Sequence, residues 1–402
     1  MTSRPNNRKL NVKTAFLARF LLISLLVSTL GNEAYSSTID QSTVLSSSER
    51  VQIVSIYPSG SEIPNEGPLK EAAARLNEEI SSRLIAVFPK SVGELEIDSL
   101  RFKITVMPRL PSPFERRAAL WAETDSELDA KDSVIDVYLT EAMLLLPEAA
   151  YSLTAHEIFH GVHARVNRDE ETWVKEGLAQ VFEWMAGQKQ AISFAIFKFG
   201  FMTRPKLGIN FDLSGGDEST FGGYGQSLLY FLHLYKHCGG DSLFWNLVTS
   251  PDTGITAVSS SLKEMNDHHL ELIHPTKRWT CASVENHYES FLLARYLNQR
   301  RGIAPYENTL LIHGEGVAGK NFIDPALKLT VDELQRLKDG IPVFLEVDQP
   351  VNVKSLPENS IVRYIRNPFP EATAITPEFP VGFKPSLTNR LIALIYRLPF
   401  ES

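Results

Sequence analysis

Two histidines and a glutamate with helical spacing are the residues of this sequence best suited to chemistry. Residues 156–160 read His-Glu-Ile-Phe-His, so His156 and His160 lie on one face of any helix that contains them. Two imidazoles on one face can bind a single metal ion, and zinc suits two imidazoles and a carboxylate with a fourth position open. Glu157 follows the first ligand, where its carboxylate can accept a proton from a water held by the ion.

The third ligand has to come from a later part of the chain. The segment Thr172–Ala179, Thr-Trp-Val-Lys-Glu-Gly-Leu-Ala, places Glu176 in the first turn of a second predicted helix, for which Thr172 is the expected N-cap. The 15 residues between His160 and Glu176 allow the chain to reverse and bring this carboxylate against the histidine pair. A ligand six residues after His160 is excluded, because that position is Val166. The other nearby acidic residues are interpreted as solvated, capping or supporting groups: Asp169, Glu170, Glu171 and Glu183.

These two segments resemble the gluzincin metallopeptidases, whose shared pattern is HExxH, a spacer, and a glutamate in a W-x-x-E-G-[LF]-[AS] segment. The corresponding segments here are HEIFH and WVKEGLA. The resemblance implies a zinc metallopeptidase in which His156, His160 and Glu176 bind one zinc ion and Glu157 is the general base. It covers residues 51–298, and the two metal motifs are its specific part.

The resemblance continues downstream at the level of pattern. Residues 223–229, Gly-Tyr-Gly-Gln-Ser-Leu-Leu, are similar to an aminopeptidase-type helix, and residues 254–298 are similar to the helical tail of hyicolysin-like gluzincins. In that family a tyrosine in the first helix stabilises the tetrahedral intermediate, which implies this role for Tyr224. A phenol can donate to a developing oxyanion. Tyr230 and Tyr235 are nearby alternatives.

The chain departs from the family pattern in two places. No G-x-M-E-N segment precedes His156, which favours an endopeptidase over an aminopeptidase. Position 180, where thermolysin-like members have aspartate, is Gln180, which leaves the partner that orients the histidines open between Glu183 and a backbone carbonyl. Two other functions stay open: a zinc hydrolase of a non-peptide amide or ester, and a catalytically silent, metal-stabilised binding module at the cell surface.

Hydrophobic periodicity predicts the elements that must position these residues. Strands are predicted at 51–58, 100–107, 118–124 and 133–139. Helices are predicted at 67–89, 147–166, 172–185, 224–237, 241–248, 255–265 and 284–297. The strand at 133–139 is either an edge strand of the cleft, as the resemblance implies, or a buried central strand.

The predicted fold is α+β. A catalytic unit with a mixed sheet and the metal-binding helix spans 37–186, a helical subdomain spans 187–301, and a small β-rich region spans 302–402. In the last region a helix is predicted at 330–338 and strands at 341–347, 360–366 and 390–398. Residues 37–49, rich in Ser and Thr, are expected to be a loose tail.

Residues 1–36 have the features of a secretory signal peptide. Five basic residues precede the apolar run Phe20–Leu30, and Ala34-Tyr35-Ser36 is a small-x-small cleavage site. Cleavage would change the net charge from -8 to -12, because it removes those five basic residues and Glu33. The sequence therefore predicts a periplasmic or secreted protein.

The remaining composition limits the partners. An acidic chain without a dense basic patch is not expected to bind nucleic acid, and no later apolar run has the length of a membrane span. The expected partners are a zinc ion and a peptide or protein substrate.

Cys238 and Cys281, the two cysteines, are predicted to form a disulfide after export. His163, one turn after His160, is expected to pack or face solvent, and His268, His269 and His274 to lie in a loop.

Overall fold

A computed structural model describes most of the segment that carries the motifs. The described residues are 40–58, 66–108, 122–124, 133–187, 218–273, 278–299, 311–312, 315–316, 343–347, 356–367, 375–376 and 390–396. The predicted signal peptide and the predicted helix at 330–338 lie outside them, as does His274.

Among the described residues the fold is mixed α+β, as predicted, with eight α-helices and a mixed sheet. The helices are α1 (Glu66–Glu79), α2 (Glu141–Leu144), α3 (Pro147–Val166), α4 (Thr172–Met185), α5 (Glu218–His237), α6 (Asp241–Val248), α7 (Gly254–His268) and α8 (Val284–Gln299). The strands are β1 (Asp40–Ser47), β2 (Val51–Pro58), β3 (Ser91–Val92), β4 (Leu95–Glu96), β5 (Arg101–Met107), β6 (Ala122–Thr124), β7 (Val134–Thr140), β8 (Leu311–Ile312), β9 (Glu315–Gly316), β10 (Val343–Val347), β11 (Ile361–Asn367), β12 (Ile375–Thr376) and β13 (Arg390–Tyr396). None of the described helices has the length and apolar character that a membrane crossing requires.

The chain divides into two compact units. The first contains Met1–Val87 and Ser99–Gly161, and the second contains Phe88–Asp98 and Val162–Ser402. The boundary between Gly161 and Val162 lies within helix α3.

The first unit is built on a five-stranded sheet in the order β1-β2-β5-β7-β6. Strands β2, β5 and β7 are parallel, and the two outer strands run antiparallel to their neighbours. Strand β7 therefore lies between β5 and β6, which confirms the central alternative and corrects the cleft-edge interpretation. Its inward residues Ile135, Val137 and Leu139 are buried, as expected for a strand with a neighbour on each side.

The prediction of a loose tail at 37–49 is wrong. Residues 40–47 form β1, which pairs antiparallel with β2 along its length. The Ser- and Thr-rich composition is that of an edge strand with one solvent-exposed face. Leu45 is buried, whereas Val44 is half exposed. The pairing shifts between Val44 and Ser46, an irregularity that is frequent where an edge strand must resist further pairing.

Helix α1 and its continuation confirm the helix predicted at 67–89. The α-helix ends at Glu79, and the chain continues as a π-helical turn (Ile80–Leu84) and a 3-10 turn (Ile85–Val87). Leu69, Ala73 and Leu76 form its buried face at spacings of three and four.

The second unit is helical, with a small C-terminal sheet. The predicted disulfide is confirmed: Cys238, just after α5, is bonded to Cys281, just before α8, with their Cα atoms 5.4 Å apart. The C-terminal strands form an antiparallel sheet in the order β10-β13-β11-β12. This sheet is attached to α8 through Glu289, whose Oε2 accepts hydrogen bonds from Arg363 Nε and from the Tyr396 hydroxyl, both at 2.8 Å.

A fully buried histidine pair joins α5 to α8. His233 Nδ1 and His287 Nε2 lie 2.8 Å apart, and both side chains have no exposed surface. The Tyr230 ring packs edge-on against His287, with ring centroids 4.7 Å apart. Burial, and then the nearby His237, lower the pKa of His287 well below its ordinary value, so the folded protein keeps this ring neutral.

We expect the free energy of unfolding to fall as the pH drops below about 6.5, where a histidine in the unfolded chain becomes protonated but folded His287 does not. The slope from this one group reaches at most about 1.4 kcal/mol per pH unit. Urea denaturation at several pH values between 7.5 and 5 measures it. The variant H287Q, which cannot titrate but can still hydrogen-bond His233, should lose this part of the slope; equal slopes in both proteins would contradict the assignment.

Candidate metal centre

Helix α3 carries the His-Glu-Ile-Phe-His segment near its C-terminal end. The predicted bounds, 147–166, are confirmed, with Pro147 at the first helical position. Ile158 and Phe159 are fully buried, and these apolar neighbours fix the rotation of the helix about its axis. His156 is buried at 7% exposure, and His160 and Glu157 are half-buried.

The two histidine rings converge through their Nε2 atoms. These atoms lie 2.9 Å apart, and the rings are almost perpendicular, at 82°. Two nitrogens bound to one tetrahedral zinc ion lie about 3.3 Å apart, given zinc–nitrogen bonds of about 2.0–2.1 Å. A separation of 2.9 Å therefore requires only a small side-chain rotation to admit an ion.

Helix α4 supplies the third candidate ligand. A nitrogen of His156, a nitrogen of His160 and a carboxylate oxygen of Glu176 all lie within 4.8 Å of one another. In the part of the chain that the structure describes, no other group of three or more such residues meets this criterion. Glu176 is half-buried, so its carboxylate is partly shielded from water without being sealed off.

Two neutral imidazoles and one carboxylate are the donor set of a catalytic zinc site, whose fourth position is left to water or substrate. By chemistry and by mutual distance the three side chains could therefore hold a metal ion. A closed structural site would need a fourth protein ligand, and the described residues place none in this group.

Sequence comparison adds no family assignment to this geometry. No protein-family model and no curated protein matches the chain. Function is therefore inferred from the three ligand atoms and the groups around them.

On α3 and on α4, a glycine directly follows a candidate ligand. Because glycine has no side chain, a neighbouring element can pack closely against the helix at each position. A Cβ on Gly161, next to His160, would lie within 3 Å of the Ile135 side chain in β7. A Cβ on Gly177, next to Glu176, would lie within 3 Å of Ser227 and Phe231 in α5. At either position a larger residue would require the helix or the facing side chain to shift.

Helix α5 also holds the first turn of α4 by direct contacts. The Ser227 hydroxyl donates to the backbone carbonyl of Trp173, and the Trp173 ring stacks on Phe231 with ring centroids 5.3 Å apart. Trp173 and Ser227 are both buried. The tryptophan of the WVKEGLA segment is therefore an anchor for the turn that bears Glu176, a role that its position in the motif does not reveal by itself.

Tyr224 lies in α5, but its side chain is outside the described residues. Its position is one turn before Ser227, and Ser227 and Phe231 contact Gly177. Of the two alternative tyrosines, Tyr230 is fully buried and packs against Trp173, with ring centroids 6.1 Å apart. The Tyr235 hydroxyl donates to Asp241. The oxyanion role of Tyr224 stays a prediction.

The structure corrects one interpretation of the connection between α3 and α4, the N-cap of α4. Thr172 is the first helical residue rather than the N-cap, which is Glu171, and the Glu171 side chain makes no capping hydrogen bond. Asp169 and Glu171 are exposed, whereas Glu170 is buried at 3% exposure and accepts hydrogen bonds from two backbone amides. Sequence reasoning missed this role of Glu170, because its partner Gly254 is 84 residues away.

Three further side chains near the ligands are buried. Gln180 and Glu183, one and two turns after Glu176 in α4, are each 1% exposed. His163 is also 1% exposed, which confirms that it packs rather than faces solvent.

Proposed function

We propose that the protein is an exported, zinc-dependent metallopeptidase of the gluzincin type, which hydrolyses peptide bonds. One observation carries the proposal: the donor atoms of His156, His160 and Glu176 lie within 4.8 Å of one another, with Glu157 next to the first ligand. Glu157 distinguishes hydrolysis from a purely structural use of the metal, because a structural site does not need a base.

The reaction would proceed through the chain's own groups as follows. A bound zinc ion would lower the pKa of a water and polarise the scissile carbonyl. The Glu157 carboxylate would take the proton that this water loses as it attacks the carbonyl carbon, and would return it to the departing amine. The hydroxyl of Tyr224 would donate to the oxygen of the tetrahedral intermediate.

An endopeptidase is favoured over an aminopeptidase. The sequence before His156 has no G-x-M-E-N segment, which aminopeptidases of this type use to bind a free amino terminus. The proposed substrate is therefore an internal segment of a peptide or an unstructured protein.

Two features support export. Residues 1–36 have the charge and apolar pattern of a signal peptide. The Cys238–Cys281 disulfide is typical of proteins in an oxidising compartment, since cytosolic thiols are kept reduced.

The decisive experiment is the cleavage of an unfolded protein by the zinc-loaded chain. We expect cleavage to stop after removal of the metal with a chelator and to return when zinc, but not magnesium, is added back. Release of internal fragments, identified by mass spectrometry, would distinguish endopeptidase from aminopeptidase activity. A chain that binds zinc, cleaves no peptide library, and hydrolyses amide or ester compounds would assign the site to a non-peptide zinc hydrolase instead.

A further inference from the structure

We propose that Glu170 is a positioning residue that fixes the location of Glu176 by fastening the α3–α4 connection to the N-terminus of α7. The inference rests on the proposed metal site and deepens it. It assigns metal affinity in part to a contact that involves none of the ligands.

The α3–α4 connection is short and is held from outside. Only five residues, Asn167–Glu171, separate the helix that bears the histidines from the helix that bears Glu176. The amide Nδ2 of Asn167 donates to the backbone carbonyls of Ser250 and Asp252, at 3.0 and 3.1 Å. The start of this connection is therefore attached to the turn between α6 and α7.

Glu170 attaches the end of the connection to the start of α7, directly after that turn. Its Oε1 accepts a hydrogen bond from the Gly254 amide at 2.6 Å and another from the Glu171 amide at 2.7 Å. Gly254 is the first residue of α7, and Glu171 is the N-cap of α4. One carboxylate oxygen therefore joins the beginnings of two helices.

The chemistry of helix N-termini explains why a carboxylate occupies this position. The first backbone amides of a helix have no partner within the helix and carry partial positive charge, so a carboxylate beside them is stabilised. Thr253, the N-cap of α7, makes no capping hydrogen bond with its side chain. Glu170 provides that acceptor from 84 residues earlier in the chain, and it is buried at 3% exposure, where water competes little.

The contact is connected to Glu176 through Glu171 and the first turn of α4. Glu171 Oε2 accepts a hydrogen bond from Trp173 Nε1 at 2.7 Å, so the N-cap and the first turn of α4 are coupled. Glu176 lies five residues after the N-cap, about 7.5 Å along the helix axis. Metal–ligand distances vary by only about 0.2 Å among good sites, so a small displacement of the start of α4 weakens binding.

Glu289 offers a matched control for the loss of a buried carboxylate. It is also 3% exposed, lies in the same unit, and also accepts two hydrogen bonds, from Arg363 and Tyr396. It joins α8 to the C-terminal sheet rather than the metal-site connection to α7. Truncation of either side chain should lower stability, but only the loss of Glu170 should change metal binding.

The test compares the full-length wild type with the variants E170A, E170Q and E289A. Zinc affinity is measured by competition with a chromophoric chelator, and ligand geometry by the visible absorption of the cobalt-loaded protein. We expect the zinc Kd of E170A to rise about 10- to 100-fold, the range found when groups that orient ligands are removed, with a changed cobalt spectrum. E170Q should stay within about threefold of wild type, because its amide oxygen can still accept both hydrogen bonds. E289A should bind zinc as the wild type does.

Two results would overturn the positioning role: an E170A variant with wild-type zinc affinity and cobalt spectrum, or an equal loss of affinity in E289A. If E170A does not fold, E170D carries the same test, because its shorter side chain keeps the charge but cannot reach both amides. The wild-type titration separates two failures. Lack of zinc binding there rejects the proposed metal site, whereas wild-type binding with an unchanged Glu170 variant rejects only the positioning role.

Discussion

Replacement of Glu157 by glutamine should lower peptide hydrolysis by about 10²- to 10⁴-fold, the usual contribution of a positioned general base, and leave zinc affinity unchanged. The amide of glutamine has the shape of the carboxylate but cannot take a proton from the attacking water. Glu157 follows His156 in α3 and is not one of the three clustered ligand residues. The measurement is kcat/KM on an internally quenched peptide, together with the zinc Kd of the same preparation.

Glu148 provides the matched control. It lies in the first turn of the same helix α3, is exposed, and permits the same Glu-to-Gln change. E148Q should retain wild-type activity and zinc affinity. Wild-type activity in E157Q would remove Glu157 from the proposed mechanism, and a parallel loss of zinc in E157Q would assign it to metal binding instead.

Local signals in the sequence predicted the two helices of the site well. Pro147 and the apolar spacing that follows it gave the bounds of α3, and α4 ends at the predicted residue, Met185, but begins at Thr172, which was predicted to be its N-cap. A helix is specified by neighbours three and four residues apart, so a short window contains most of the information. The convergence of His156 and His160 followed from the same spacing, because residues four apart share a helix face.

Features that depend on distant partners could not be predicted in this way. The Ser- and Thr-rich segment at 40–47 becomes a strand only because β2 provides backbone partners for it. Glu170 looks like one of several acidic loop residues until α7, 84 residues later, brings the Gly254 amide to it. The central position of β7 likewise depends on pairing with β5 and β6, which the local pattern does not encode.

Replacement of Glu176 by alanine should weaken zinc binding by more than about 100-fold, since loss of a group that merely orients a ligand already costs 10- to 100-fold. The change removes one of the three proposed donors and the one negative charge among them. Activity should fall with metal content and recover in part at high zinc concentration, because the histidine pair remains. Chelator competition and the dependence of kcat/KM on zinc concentration measure both effects.

Asp169 is the control, because it is an exposed acidic residue in the connection between the two helices of the site. D169N should bind zinc with wild-type affinity; weak binding in D169N together with tight binding in E176A would move the third ligand into the connection. The activities of the variants E157Q and E176A should also respond differently to the zinc concentration. E157Q should hold zinc and keep the same reduced activity at any zinc concentration, whereas E176A should regain activity as the zinc concentration rises. This contrast separates the residue that transfers the proton from the residue that holds the ion.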